Sequence, residues 1–397
     1  MIVTAENFVQ GGRTMGHLDD GRIVFLNGLF PGEEAEIKIV NEKKGYCSAI
    51  PVNIIKRSPL RRESPCKYSS QCGGCPWIEL NYDAQVTAKE ELLHELFSDV
   101  KIEFLPSVLA NDSVTDSATD SVAGSVTGSP RRGEFGYRSR ARFQYRINGG
   151  KASLGFCSEE SNNTVFIDKC VIADPALNAF LANPPKINAW ELKNMELPCI
   201  TTDTGVLYGA GISHITINGH ALPVSNQVFF QSNLKLLPNL IDYVVSCVDS
   251  CTSCVNSHCE CARVMDLYSG VGTFSAYLED KYDVVAVEMN KNCLDLAKRH
   301  LTKTTFFTSP VEKWSPKHKD VDAVIVDPPR VGLAKEVPAM IASWGPSHIV
   351  YVSCFAPTLH RDVQRFEQLG YKAKSLKMFD FYPQTPHVET VVLISRI

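Results

Sequence analysis

Over residues 262–397 four short apolar runs alternate with helical stretches: Val264–Asp266, Val284–Glu288, Ala323–Asp327 and Ile349–Ser353, each ending in a polar residue. A short apolar run bounded by turns reads as a strand buried on both faces. Strands alternating with helices read as a parallel sheet wound on both sides. A ligand of such a sheet lies outside the carboxyl ends of its strands, which is where the four polar residues fall.

The rest of the chain has a different texture. With 397 residues it is too long for one ordinary core. Residues 1–56 hold β-rich runs, Ile23–Leu26 and Ala35–Val40 among them, separated by Gly11-Gly12, Asp19-Asp20-Gly21 and Pro31-Gly32, the outline of a small barrel. A cysteine-rich stretch over 64–82 precedes a predicted helix, Tyr82–Phe97. From Gly136 to Pro223 alternating runs such as Ala141–Arg146 and Val206–Tyr208 predict a mostly β unit. Residues 107–132 are rich in Ser, Asp, Gly and Val with no aromatic side chain, and read as a flexible insertion. The expected fold is therefore multidomain α/β, with a barrel over 1–60, a mostly β central domain over 61–243, and a doubly wound, Rossmann-like domain over 244–397.

The N-terminus has no basic segment followed by an apolar one. No apolar run approaches the roughly 18 residues that cross a bilayer. The expectation is a cytoplasmic protein with no membrane association and no obligate protein partner. Fourteen cysteines in such a chain point to metal binding, catalysis or packing before disulfides. A net charge of −4 gives no general attraction to phosphate, so RNA would need local basic patches. There are two candidates. One is Lys56, Arg57, Arg61 and Arg62; the other is Arg131, Arg132, Arg138, Arg140, Arg142 and Arg146, interleaved with Tyr137, Phe143 and Tyr145 as stacking faces. A solvated strand face explains the second patch equally well.

The first strand runs into Asp266-Leu-Tyr-Ser-Gly-Val-Gly272, whose Gly270 and Gly272 let backbone approach a ligand, at a turn expected to open a helix. Glu288 ends the next strand, where an acid can accept ribose hydroxyls. Dehydrogenases share that logic. The third strand ends Asp327-Pro-Pro-Arg330, which resembles the turn that closes one wall between cofactor and substrate in S-adenosylmethionine methyltransferases.

The fourth strand ends at Ser353-Cys354, and a second polar cluster, Tyr382-Pro-Gln-Thr-Pro-His-Val-Glu389, precedes the predicted strand Val391–Ile394. Alone, Cys354 reads as a packing residue. With a carboxylate nearby it suits methylation of a pyrimidine carbon that is a poor nucleophile. A thiolate adds to carbon 6, the resulting enolate takes the methyl group at carbon 5, and a base then removes the carbon 5 proton. Glu389 is the candidate base, with His387 the alternative.

Together Asp266–Phe274, Asp327–Arg330, Val350–Thr358 and Pro383–Glu389 resemble the RNA uridine-5 methyltransferase family, which acts on ribosomal RNA and on the tRNA T-loop. The resemblance implies Cys354 as nucleophile, Glu389 as base, and S-adenosylmethionine held by Tyr268, Gly270, Glu288 and Asp327. Phe229-Phe-Gln231-Ser-Asn233 is similar to the family's F-x-Q-x-N element and implies Gln231 on the cofactor. Thr273 stands where members often carry Asn.

Cys66, Cys72 and Cys75 place three thiols in a glycine-bearing loop, suited to zinc or an iron–sulfur cluster, with Cys157 and Cys170 competing as fourth ligand. Phe166–Ile172 resembles the family segment carrying that ligand, which implies Cys170 and a [4Fe–4S] cluster. A second group, Cys247, Cys251, Cys254, Cys259 and Cys261 with His258, has no counterpart in the family and reads as a tolerated insertion. Gly11-Gly12, Gly16 and Phe30-Pro-Gly-Glu33 resemble a TRAM domain, an OB-like RNA-binding module that the tRNA branch generally lacks. The implied substrate is therefore 23S rRNA. The alternatives are a tRNA uridine-5 methyltransferase, or a cytosine-5 RNA methyltransferase, whose nucleophile would usually follow Pro or Thr rather than Ser353.

Overall fold

A computed structural model describes residues 1–105, 133–148, 151–158, 163–187, 192–252, 262–317 and 320–397. The insertion expected over 107–132, and the second cysteine group beyond Thr252, lie outside the described residues.

Six strands, β1 (Ile2–Thr4), β2 (Asn7–Phe8), β3 (Thr14–His17), β4 (Ile23–Leu26), β5 (Glu34–Glu42) and β6 (Tyr46–Lys56), form one sheet in the order β1-β5-β6-β4-β3-β2. Alternation sets its inner face: Val24 and Leu26 are fully buried while Ile23 and Phe25 are not. Three register shifts bend β5 against β6. The sheet thus curls around its own core of Val3, Leu18, Leu29, Ala35 and Ala49.

Helix α1 (Tyr82–Leu96) follows, then strand β7 (Ile102–Leu105). Strands β8 (Arg140–Asn148), β9 (Lys151–Cys157), β10 (Thr164–Phe166), β11 (Glu196–Thr202) and β12 (Gly205–Tyr208) form the central sheet, ordered β10-β9-β8-β11-β12. Helix α2 (Pro175–Ala182) covers it, opened by Pro175 and capped by Asp174, whose side chain accepts from Leu177 N. A hairpin, β13 (Ser213–Ile217) and β14 (His220–Val224), leads to α3 (Leu237–Thr252).

The C-terminal unit is an eight-stranded sheet. Its strands are β15 (Arg263–Leu267), β16 (Asp283–Glu288), β17 (Thr305–Thr308), β18 (Ala323–Val326), β19 (His348–Ser353), β20 (Tyr371–Phe379) and β21 (Glu389–Arg396), with β7 added at the edge, in the order β17-β16-β15-β18-β19-β21-β20-β7. Helices α4 (Lys291–Ala297), α5 (Val337–Trp344) and α6 (Ala356–Glu367) connect them. The four strands read from sequence are all parallel. Both faces are buried, residue by residue. Val264, Ala323, Ile325, Val350 and Val352 enter one core, while Met265, Leu267, Val324, Val326, Ile349 and Tyr351 enter the other.

Two features of this sheet position the site. Strand order reverses between β15 and β18, which opens a crevice at their carboxyl ends. Strand β21 runs antiparallel to β19, with Ser353 opposite Thr390, so its first residue, Glu389, lies at the edge where the parallel strands end. Ile102–Leu105, which the sequence reading places in the central unit, is an edge strand of this sheet. No described helix is long and apolar enough to cross a membrane.

Candidate active site

Strand β15 leads into a turn in which Tyr268, Gly270 and Gly272 all have positive φ (61°, 56° and 78°). Tyr268 is held there by its N–H, which donates to Val287 O at 2.9 Å. A Cβ on Gly272 would stand 2.5 Å from Leu301 Cδ1, whereas one on Gly270 would meet nothing within 4 Å. Gly272 is thus demanded by packing, and Gly270 faces open space. The expected helix after this turn is a single 3-10 turn, Ser275–Tyr277. Val271, Phe274, Ser275, Ala276 and Leu278 are all buried, so the segment has no solvent face on which a longer amphipathic helix could form.

The carboxylates behave differently. Glu288 accepts from Gly270 N at 3.1 Å and from Asn290 N at 2.7 Å, which ties the end of β16 to the glycine turn. Asp266 is fully buried and accepts from Ser275 Oγ at 2.6 Å through one oxygen. Its other oxygen has no partner, nor do the buried Ser269 Oγ and Gln231 Oε1. Burial pushes the Asp266 carboxyl up to about 6, helped by Glu288 and opposed by the Ser275 bonds. Gln231 follows Phe230, which packs in the same core as Val271 and Phe274. Unpaired buried polar atoms cost free energy, and here they flank a turn with an open face. The residues fit a polar ligand such as a nucleoside-bearing cofactor.

Cys354 follows β19 directly and Glu389 begins β21. Because Ser353 pairs with Thr390, and Thr390 Oγ1 donates to Ser353 O at 2.9 Å, Cys354 and Glu389 are the next residues beyond the last rung, near enough for the carboxylate to act on the thiol's ionisation. Asp327, one residue beyond β18, completes the edge. Burial raises the Cys354 thiol to about 12, with Glu389 and Asp327 adding to it and Arg330 opposing. Asp327 rises to about 7 through burial and its acidic neighbours Asp266 and Glu288. Glu389, 2% exposed, is held well above the usual carboxylate range by burial and Asp327.

A small cleft over Cys354 is walled by Arg330, Phe355, Pro386, His387, Lys89 and the Gln10-Gly11 turn of the N-terminal sheet. Arg330 stacks 5.2 Å from the Phe355 ring and its Nη2 lies 3.3 Å from His387 Nδ1. His387 is depressed to about 4, first by burial and then by Arg330 and Lys89. A neutral imidazole beside a guanidinium suits an orienting role better than that of the base. The sequence reading gave Lys89 and Gln10 no role. A lysine on the buried face of α1, in line with Gln85 and Leu92, was the visible signal for the first.

Cys66, Cys72, Cys75 and Cys170 line one cavity of about 30 Å³, whereas Cys157 is exposed and does not line it. Asn178 pins Cys170, accepting from its N–H at 2.8 Å and donating to its carbonyl at 3.0 Å. Lys67 and Tyr68 both bind the Asp168 carboxylate and so join the two cysteine segments. Among the described residues no group of His, Cys, Asp and Glu is arranged to hold a metal ion. Four thiols around one cavity nonetheless match the donor set of an iron–sulfur cluster in kind and number.

The basic patches need correction. Arg61 is 6% exposed and paired with Glu33 and Glu79, and Arg62 pairs with Glu134. Arg140 donates to the carbonyls of Val228 and Phe230. Tyr137, Phe143 and Tyr145 are buried, so none is a stacking face. These cations are charge-neutralised or committed to backbone. Arg57 and Arg142 keep exposed heads, and the aromatic at the surface is Phe229, 67% exposed beneath Arg140.

The family profile described as tRNA (uracil-5-)-methyltransferase matches residues 313–397, the segment that carries Asp327, Cys354 and Glu389. An uncharacterized RNA methyltransferase of Thermotoga maritima is 27% identical over 466 residues, covering 99% of this chain and 98% of its own. A 23S rRNA (uracil(747)-C(5))-methyltransferase of Pyrococcus abyssi is 28% identical, covering 94% of this chain and 95% of its own. In fold, the chain is similar to the crystal structure of the tRNA (uracil-54, C5)-methyltransferase of Pyrococcus abyssi in complex with S-adenosyl-L-homocysteine. The TM-score is 0.72 at 21% identity, covering 99% of this chain and all of the other.

Proposed function

We propose that this chain, a member of the RNA uracil-5 methyltransferase family, methylates carbon 5 of a uridine in 23S rRNA in the cytoplasm, with Cys354 as nucleophile and Glu389 as base. The observation that supports the reading is the β19–β21 register, in which Cys354 and the buried Glu389 follow directly on the last paired rung at the crevice. The Pyrococcus abyssi 23S rRNA relative favours ribosomal RNA, as does the N-terminal sheet with its TRAM-like glycines. The fold likeness to a tRNA enzyme keeps tRNA as the second substrate to test.

S-adenosylmethionine supplies the electrophilic methyl carbon. Gln231, Tyr268, Gly270 and Glu288 would hold it, with Asp266 and Ser269 offering their unpartnered oxygens. Asp327, one residue beyond β18, would stand between that site and the uracil. The Cys354 thiolate adds to carbon 6, its electron pair forming the C–S bond and leaving an enolate across carbons 4 and 5. The enolate pair at carbon 5 forms the bond to the methyl carbon, and the methyl–sulfonium bond would break with its pair left on sulfur, giving the neutral thioether product. The Glu389 carboxylate then removes the carbon 5 proton, the pair left behind re-forms the ring double bond, and the C–S bond breaks to return the thiolate. No electron is exchanged with an external acceptor. A [4Fe–4S] cluster on Cys66, Cys72, Cys75 and Cys170 would therefore brace the central unit or orient RNA.

Tritiated methyl transfer to unmodified 23S rRNA and tRNA transcripts tests the substrate. Cys354→Ala should abolish methylation and any denaturation-resistant RNA adduct. Glu389→Gln should accumulate that adduct, as wild type should on 5-fluorouridine RNA. A Glu389→Gln enzyme that turns over normally would overturn the division of roles.

A further inference from the structure

The loop that delivers Glu389 runs from Asp380 to Val388, and several of its polar groups are held by the N-terminal half of the chain. Three consecutive carbonyls accept from three different segments. Tyr382 O accepts from Lys89 Nζ of α1 at 3.2 Å, Pro383 O from Tyr137 Oη at 2.9 Å, and Gln384 O from Trp77 N at 3.0 Å. Trp77 lies two residues beyond Cys75, in the cysteine loop. Upstream in the same loop, Asp380 is fully buried against Lys89 at 2.7 Å and Tyr82 Oη at 2.8 Å.

Gln384 is the centre of this arrangement. It is fully buried and has φ of 69°, a left-handed conformation that costs a non-glycine residue energy. All four hydrogen-bonding positions of its amide are used. Oε1 accepts from Arg62 Nη2 at 2.8 Å and from Gln85 Nε2 at 2.9 Å. Nε2 donates to Glu134 Oε2 at 2.9 Å and to Glu134 O at 3.3 Å. Its own N–H donates to Gln85 Oε1 at 2.8 Å. Two residues on, Pro386 is packed against the N-terminal sheet so closely that a Cβ on Gly12 would stand 2.2 Å from its Cβ.

A loop joining two neighbouring strands needs no such anchorage for those strands to pair, since β20 and β21 are hydrogen-bonded to each other from the Tyr371–Arg396 pair to the Phe379–Glu389 pair. What the anchorage fixes is the few residues between the strands, and hence the direction in which the chain enters β21 at Glu389. We propose that Gln384 is a positioning residue through which Arg62, Gln85 and Glu134 hold the Glu389 loop in register with Cys354. The N-terminal units then complete the catalytic geometry as well as meeting RNA. The proposal rests on Glu389 being the base. Cys354 is set by β19, outside the network, so loosening the loop should slow proton removal and leave thiolate addition intact.

The test is Gln384→Glu, which sets a carboxylate against Glu134, alongside the exchange double variant Gln384→Glu/Glu134→Gln, which restores an amide–carboxylate pair in reversed sense. The single variant should lose about 10- to 100-fold in kcat, the scale of a misplaced catalytic group, with KM for RNA and donor affinity near wild type. The RNA adduct should accumulate as it does in Glu389→Gln, and backbone amides of 382–388 should exchange hydrogen faster. The double variant should recover release of the adduct. Gly12→Ala, which presses on Pro386 and on the Trp77 ring while leaving Arg62, Gln85 and Glu134 in place, should shift the same step if Gln384→Glu fails to fold. A single variant with wild-type kcat, or one whose kcat falls with no build-up of adduct, would overturn the assignment. A wild-type enzyme that forms no adduct on 5-fluorouridine RNA would instead remove the functional reading beneath it.

Discussion

At the scale of single residues, the site is an acidic pocket around a thiol. Asp266, Glu288, Asp327 and Glu389 converge at the strand ends, and Cys354 is held from ionising first by burial and then by Glu389 and Asp327. The ligand-free thiol, raised to about 12, is therefore protonated at neutral pH. Thiolate chemistry should grow with pH. Alkylation of Cys354 in the ligand-free enzyme, followed on its own peptide by mass spectrometry, should climb about tenfold per pH unit from about pH 7 to about pH 9.5 without a plateau. Replacing Glu389 by Gln removes a charge that raises the thiol, so the profile should move to lower pH. An alkylation plateau below pH 7, or a profile unmoved by Glu389→Gln, would show that these charges do not govern the thiol. A cationic cofactor bound beside them would act in the same direction, by Coulomb's law.

At the scale of elements, the glycine turn after β15 and the end of β16 act as one unit, because Glu288 binds both Gly270 N and Asn290 N. Glu288→Ala frees the turn and, on the proposed reading, removes the acceptor for a ribose at once. Affinity for S-adenosylmethionine should fall by about 1.5–3 kcal/mol, the scale of hydrogen bonds to a charged group. Calorimetry of the purified protein measures this directly, and unchanged affinity would mean that the carboxylate serves the turn alone. The four parallel strands were legible because each is a continuous apolar run with a polar terminus. Helix α1 was legible too, expected over Tyr82–Phe97 and observed over Tyr82–Leu96. The helix expected after Gly272 is absent as such, since a segment buried on all sides gives no periodic signal.

At the scale of the whole molecule, the N-terminal half is built into the catalytic half. The Lys89–Asp380 pair has no exposed surface, and breaking such a pair by removing one partner commonly costs about 3–5 kcal/mol. The cysteine segments, joined through Lys67, Tyr68 and Asp168, sit at the start of the same connection. Anaerobically purified protein should absorb broadly near about 400 nm if the four thiols bind an iron–sulfur cluster. Cys157→Ser should keep the colour, since that residue is exposed and does not line the cavity, and Cys170→Ser should lose it. Stoichiometric zinc without iron would replace the cluster with a structural ion.

By itself the sequence determined what is local. Runs of Val and Ile set strands buried on both faces, the glycine turn and Asp327-Pro-Pro-Arg330 marked the crevice, and spacing grouped Cys66, Cys72 and Cys75. Tertiary structure alone decided what depends on distant partners. Whether Arg62 faces RNA or Glu134, whether Cys157 or Cys170 reaches the cavity, and whether Ile102–Leu105 joins the central or the C-terminal sheet are contacts across tens to hundreds of residues. The same holds for Gln384, whose amide meets Arg62, Gln85 and Glu134 only once three separate segments have packed against its loop. Periodicity reports how a segment is buried. It carries no information on which polar group waits at the other side, because hydrogen-bond and charge complementarity exist only between surfaces already brought together.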